Sequence, residues 1–235
     1  VDPHRVKIVE PTDYALPDGG LNIRWPDPPL VQEARLHEQK HDAAIAFARA
    51  NGLDRVVMDG PKRRVGIVTT GKAYLDVRQV FDDLGIDDEA AAAMGLSLYK
   101  VGMVWPLEPE GIRRFAAGLD EVLVVEEKRG LIEQQMRDIL YDMDPDKRPR
   151  VHGKHDVDGS WLLRAAGEID PPAVADAMAR RFGELNGFEP VVALAAEHRA
   201  HAERAAADKG AGIERIPYFC SGCPHNTSTK VPEGS

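Results

Sequence analysis

Short apolar runs that alternate with longer helical stretches constrain this chain more than any other feature. Val65-Gly-Ile-Val-Thr-Thr70 ends at Gly71, and a helical pattern follows to about Leu84. A second run covers 96–103, after which Pro106 and Pro109 open a helix to about Ala117. Glu121-Val-Leu-Val-Val-Glu126 is the third, followed by a helix over 130–142 with Leu131, Met136, Leu140 and Tyr141 on one side. Val151 marks a fourth strand. Asp170-Pro-Pro opens a further helix, with Asp170 as N-cap and Pro171 in its first turn. Strand and helix in alternation predict an α/β domain with a mostly parallel sheet, in three αβα layers over residues 61–188. The unbroken apolar stretch 122–125 fits a strand covered on both faces.

The flanks read differently. Pro11, Pro17, Pro26, Pro28 and Pro29 deny the first part of the chain regular structure. Residues 1–30 are expected to be an extended connector, with one short strand at 6–9. A helix over 31–51 would place Leu36, Ala43, Ala44 and Phe47 on one face and stop at Gly52. The run Leu21-Asn-Ile-Arg-Trp-Pro26 alternates apolar and polar residues, as a segment lying over a neighbouring domain would. Residues 189–210, with His198, His201, Glu203 and Arg204, read as a solvated connecting helix.

A chain of 235 residues holds one large or two small domains, and 43% hydrophobic residues suffice for a core. The net charge of −9 argues against a nucleic-acid partner held by general electrostatics. No apolar run nears the roughly 18 residues of a membrane span, and no secretory signal is visible. The two cysteines stand as a C-x-x-C pair, which fits a reducing compartment and a cytoplasmic protein.

Gly66-Ile-Val-Thr-Thr-Gly71-Lys72-Ala73 nearly matches a phosphate loop, but Ala73 has no hydroxyl for magnesium and Gly66 falls inside the strand. A tight strand-to-helix turn at Gly71 is the favoured reading, with a helix N-terminus able to attract an anion. No G-x-G-x-x-G fingerprint marks a dinucleotide site. Glu126 and Glu127 end a strand, where α/β sheets place ligands; a pair of solvated loop charges is the favoured reading. His152, His155 and Asp156 have metal-site spacing but lack a further close ligand, so polar loop residues are favoured. Cys220-Ser-Gly-Cys223-Pro-His225 is more specific, because two thiolates two residues apart can reach one iron or zinc ion. A dithiol redox centre is the other option, weakened by Pro224.

Four segments resemble indolepyruvate ferredoxin oxidoreductase. They are Lys72-Ala-Tyr-Leu-Asp-Val-Arg78, Tyr99-Lys-Val-Gly-Met-Val-Trp-Pro-Leu-Glu-Pro-Glu-Gly111, Val122-Leu-Val-Val-Glu-Glu-Lys128 and Tyr218-Phe-Cys-Ser-Gly-Cys-Pro-His-Asn-Thr-Ser-Thr229. Leu21-Asn-Ile-Arg-Trp-Pro26 is similar to the long fused bacterial form. The resemblance implies a thiamine-diphosphate-dependent enzyme that oxidatively decarboxylates aryl pyruvates to acyl-coenzyme A and passes electrons through [4Fe–4S] clusters to ferredoxin. Magnesium and a homo-oligomer belong to the same implication.

By this resemblance residues 1–60 connect from a pyrimidine-binding domain, and 61–188 form a domain like the C-terminal domain of transketolase. Residues 189–210 link onward, and 211–235 open the diphosphate-binding domain. Cys220 and Cys223 are then candidate [4Fe–4S] ligands, and His225 lies near the thiamine diphosphate. The start at Val1 and the half-set of cluster ligands near Ser235 lead us to expect an internal piece of a larger protein, inactive alone, with the α/β domain as spacer and assembly surface. The alternative is a binding module for a small anion, coenzyme A or a nucleotide, lined by Gly71, Lys72, Glu126 and Lys128. A zinc-holding interaction domain is a third reading.

Overall fold

A computed structural model describes residues 5–22, 26–207 and 218–234. The chain divides into two compact units, Val1–Arg199 and Ala200–Ser235.

The first unit carries the α/β domain that the alternation predicts. Its sheet has five strands in the order β1-β3-β2-β4-β5: β1 Arg55–Met58, β2 Val65–Thr70, β3 Leu96–Val101, β4 Glu121–Val125 and β5 Arg150–His152. β2 runs parallel to β3 and β4, and β4 parallel to β5. β1 is antiparallel to β3 at one edge. Every residue of β4 is buried, as its apolar run requires.

Helices cover both faces. On one face lie α3 Gly71–Leu84, α4 Asp88–Met94, α7 Pro171–Phe182 and the start of α8 Glu189–Ala207. Val77, Val80, Phe81, Met178, Phe182 and Phe188 pack there against Ile67, Leu98 and Leu123. On the other face α5 Pro109–Ala116 and α6 Leu131–Tyr141 bring Ile112, Phe115, Ile132, Met136 and Leu140 onto Val68, Val122 and Val124. The strand period of two sends Leu123 to one core and its neighbours Val122 and Val124 to the other.

Local chemistry sets the helix ends. Asp87 and Asp170 cap α4 and α7 by accepting the N–H groups of Ala90 and Ala173, and Gly85 and Gly95 close α3 and α4 in the left-handed region. Gly66 is dictated by packing: a Cβ there would stand 2.7 Å from Leu119 and 2.9 Å from Phe115.

Several expectations need correction. No strand forms at 6–9; Asn51 instead exchanges hydrogen bonds with the Val9 backbone at 2.8 and 2.9 Å. A side-chain amide thus replaces the partner strand. The first helical region is α1 Pro29–Arg35, a π-helical turn Leu36–Lys40 and α2 His41–Ala50. Its buried positions are Ala43, Ala46 and Ala48, whereas Leu36 and Phe47 are exposed. On α6 the buried stripe is Ile132, Met136 and Leu140, an i, i+4 set, and Leu131 and Tyr141 face solvent. β1 and α4 were not anticipated. Leu21-Asn-Ile-Arg-Trp-Pro26 lies partly outside the described residues, as do 208–217 of the connecting and opening segments. Val191 and Ala195 are buried, so the start of α8 is packed and not solvated.

In the second unit, Cys220–Cys223 forms a tight turn closed by the Cys223 N–H on the Cys220 carbonyl at 3.0 Å. Gly222 takes φ +81° in this turn, and α9 His225–Ser228 follows.

Candidate functional site: the carboxyl edge of the sheet

β2 and β4 are neighbours whose chains leave on opposite faces of the sheet. From β2 the chain enters α3 on one face; from β4 it enters α6 on the other. Sheets of this kind bind ligands in the crevice such a divergence opens. Here the crevice lies between Thr70-Gly71-Lys72 and Glu126-Glu127-Lys128.

The chain closes this crevice with its own backbone. Lys72 Nζ donates to the Ile169 carbonyl at 2.6 Å and to Asp76 at 2.9 Å. Asp76 binding raises the Lys72 pKa. The Ile169 N–H donates to the Glu127 carboxylate at 3.1 Å, and Lys128 Nζ donates to the Gly167 carbonyl at 2.6 Å. The segment from Gly167 to Ile169 is thereby tied to the first turn of α3 and to the loop after β4, and Ile169 is 1% exposed.

Glu126 is not a solvated charge either. It is 4% exposed, and its carboxylate accepts the N–H groups of Leu131, Ile132 and Glu133 at 3.0, 2.8 and 2.9 Å. The residue before α6 is Gly130, which has no side chain to cap with, so the preceding strand supplies the acceptor. Burial pushes the Glu126 carboxyl above the usual glutamate range, against the pull of those donors and of Lys154. Lys154 is also buried and donates to the Glu126 carbonyl. Burial lowers its ammonium, against the attraction of Glu126, Glu127 and Glu133. The loop turns through Lys128 at φ +58°, a left-handed conformation a lysine adopts at some cost.

The four residues expected to line a small-anion site meet here, but the charged ones are consumed by internal bonds. Gly71 starts α3 at φ +54°. Thr70, which precedes it, gives its hydroxyl to the Val101 carbonyl.

His152, His155 and Asp156 do not converge on a metal. Asp156 pairs with Arg180 at 2.7 Å and with Arg181. Burial pushes its carboxyl up, but the Val157 N–H and the Arg181 guanidinium prevail and hold it below the usual range. His155 stacks on Trp161 with centroids 4.4 Å apart. His152 is buried, and burial and then Arg181 depress its imidazole pKa, against Glu121 and Asp156. Arg181 also grips Glu121 through two bonds of 2.6 and 2.9 Å, both side chains nearly buried. Sequence reasoning missed this Glu121–Arg181–Asp156 brace, whose partners lie far apart in the chain.

In the second unit, Cys220 and Cys223 are free thiols, the first exposed. His225 Nδ1 stands 3.2 Å from Cys223 Sγ, and its ring lies 5.3 Å from that of Phe219. Among the described residues no group of three or more His, Cys, Asp or Glu is arranged to hold a metal ion. The turn brings together two cysteines, half the set of four that a [4Fe–4S] cluster takes. No described helix is long and apolar enough to cross a membrane.

A family model described as the indolepyruvate oxidoreductase domain matches residues 55–206. The chain is 26% identical over 167 residues to the indolepyruvate oxidoreductase subunit IorA of Thermococcus kodakarensis, aligning 70% of this chain with 22% of that protein. It is 28% identical over 177 residues to the IorA of Methanothermobacter thermautotrophicus, aligning 74% of this chain with 23% of that protein. The chain thus spans less than a quarter of those two relatives. Among solved structures, a 2-oxoglutarate:ferredoxin oxidoreductase from Magnetococcus marinus is similar at 16% identity and a TM-score of 0.38, over 55% of this chain and 21% of that one. A split-gene transketolase is similar at 17% identity and a TM-score of 0.35, over 63% of this chain and 41% of that one.

Proposed function

The chain belongs to the indolepyruvate oxidoreductase domain family, and from that membership we propose that it serves as one section of an oxidoreductase subunit acting on indolepyruvate and related aryl pyruvates. The reaction is oxidative decarboxylation to an acyl-coenzyme A, with ferredoxin as electron acceptor and a homo-oligomeric assembly. Thiamine diphosphate with magnesium supplies the carbanion chemistry when bound. In this reading the α/β domain positions its neighbours and does no chemistry itself.

The observation that carries the structural role is the crevice between β2 and β4, tied shut through Gly167 and Ile169. A site that must admit a ligand keeps its polar groups available. Here Lys72, Glu126, Glu127 and Lys128 hold the fold. No observation favours the alternative of an anion or coenzyme A module at this edge.

The Cys220–Cys223 turn is proposed as half of a [4Fe–4S] site, with the remaining ligands outside this chain. His225 is proposed to lie near the thiamine diphosphate.

The test uses the longer polypeptide that contains this chain, under anaerobic conditions, with Cys220→Ala beside the wild type. Indolepyruvate-dependent reduction of a viologen dye is followed with thiamine diphosphate and coenzyme A present, and iron is counted per chain. The proposal expects turnover in the wild type and loss of both iron and turnover in the variant. Iron and activity that survive the substitution exclude the cluster role. A wild type without indolepyruvate turnover excludes the substrate.

A further inference from the structure

A second concave site lies away from the carboxyl edge, beside the open side of β5. This cleft of about 500 Å³ runs between the end of α6 and the segment 145–152. Its volume is in the range of small-molecule sites. Arg137, Arg148 and Arg150 line it, together with Tyr141, and no acidic side chain is among its lining residues. Three guanidinium groups meet in this concavity on a chain of net charge −9, two of them with a carboxylate on their far side, Glu133 for Arg137 and Glu121 for Arg150.

Two of these arginines are held in place without being fully spent. Arg137 Nη2 is anchored on the Val151 carbonyl at 2.8 Å and on Glu133 at 2.8 Å. Arg148 Nη1 donates to the Tyr141 carbonyl at 2.8 Å, with its guanidinium 5.6 Å from the Tyr141 ring centroid. Arg150 reaches Glu121 only at 3.4 Å, and both oxygens of that carboxylate are already taken by Arg181. Arg137 and Arg148 thus keep nitrogens free while their positions are set, and Arg150, its side chain 69% exposed, can turn its guanidinium to an oxyanion. Tyr141 is 73% exposed at the same wall. A large exposed aromatic ring beside an arginine plane offers a stacking surface.

We propose that this cleft binds a nucleoside phosphate, with Arg137 and Arg150 on the phosphate and the Tyr141–Arg148 pair against the base. Arginines on an edge strand also guard it against pairing with another chain. That role needs charge along the strand but neither a concavity nor an aromatic wall.

The test is calorimetric titration of the chain with ADP, inorganic phosphate and adenosine, each alone. Saturable one-to-one ADP binding, weaker phosphate binding and no adenosine binding are expected. The double variant Arg148→Gln/Arg150→Gln should bind ADP at least about tenfold more weakly, the loss expected from removing one charge-assisted donor to the phosphate and the guanidinium stacked against the base. Amide chemical-shift mapping on the wild type should place the ADP-induced changes within 137–152, which keeps the test decisive if the double variant does not fold. Absence of ADP binding at millimolar concentration overturns the proposal. Phosphate binding as tight as ADP binding, or shifts that fall elsewhere, also overturns it.

Discussion

Lys72 donates its ammonium to the Ile169 carbonyl at 2.6 Å across 97 residues of sequence, and Ile169 returns its own N–H to Glu127. The backbone of Ile169 therefore joins the first turn of α3 to the loop after β4, at the position where an α/β sheet would otherwise receive a ligand. The closure explains why a loop rich in charge has so little of it free.

Removal of the Glu126 carboxylate should destabilise the domain. Glu126→Ala orphans three N–H groups at the start of α6, and orphaned buried donors cost about 1–3 kcal/mol each before relaxation. Because water can enter the space left, we expect a net loss of about 2–4 kcal/mol in urea unfolding, with little change in the denaturant slope. A loss below about 0.5 kcal/mol would deny the carboxylate its capping role.

Arg181 is the cation shared by Glu121 and Asp156. Arg181→Met should cost up to about 3–5 kcal/mol, because it removes the main cation from a poorly solvated place and leaves Glu121 with Arg150 at 3.4 Å and Asp156 with Arg180. Replacing Glu121 by Leu in the same chain should restore part of that loss. A double variant no better than the single one would show that Asp156 alone requires the guanidinium.

Gly66→Ala separates packing from phosphate binding. The added methyl group meets Leu119 and Phe115 at under 3 Å. We expect about 1–3 kcal/mol of destabilisation from overpacking, read as a lower thermal midpoint. An unchanged midpoint would remove the packing explanation for this glycine.

His152 sets a pH dependence. Its folded pKa lies below the ordinary 6.5, so the native state holds the neutral ring while the unfolded chain takes up a proton. The associated stability is present above the unfolded value and is lost as pH falls through the folded one. His152→Gln should therefore reduce the drop in thermal midpoint between about pH 7.5 and about pH 5. Parallel curves for the two proteins would show that another group carries the acid sensitivity.

Much of the fold was legible because short-range chemistry specifies it. The apolar run of β4, the Pro-Pro after Asp170 and the glycine after β2 each announce their element. β1 was missed because Arg55–Met58 is four residues long and half exposed, so it has neither the length nor the burial pattern of its neighbours. α4 carried a readable signal, Asp87 before an alanine run and Gly95 after it. The apolar faces of the first helical region and of α6 were misassigned. Residue type alone does not tell an exposed Phe47 or Tyr141 from a buried one. Glu126 and Glu127 were read as solvated because their partners lie in α6 and at Ile169, and the latter contact is long in sequence.

The measurement that tests the closed crevice most directly is an amide-resolved NMR titration of the chain with coenzyme A. The account predicts no saturable shifts at Gly71, Ala73 and Ile169 up to millimolar ligand, whatever happens beside β5. Saturable shifts at those three residues would show that Gly167 to Ile169 yields to a ligand, and would contradict a purely structural role for this edge.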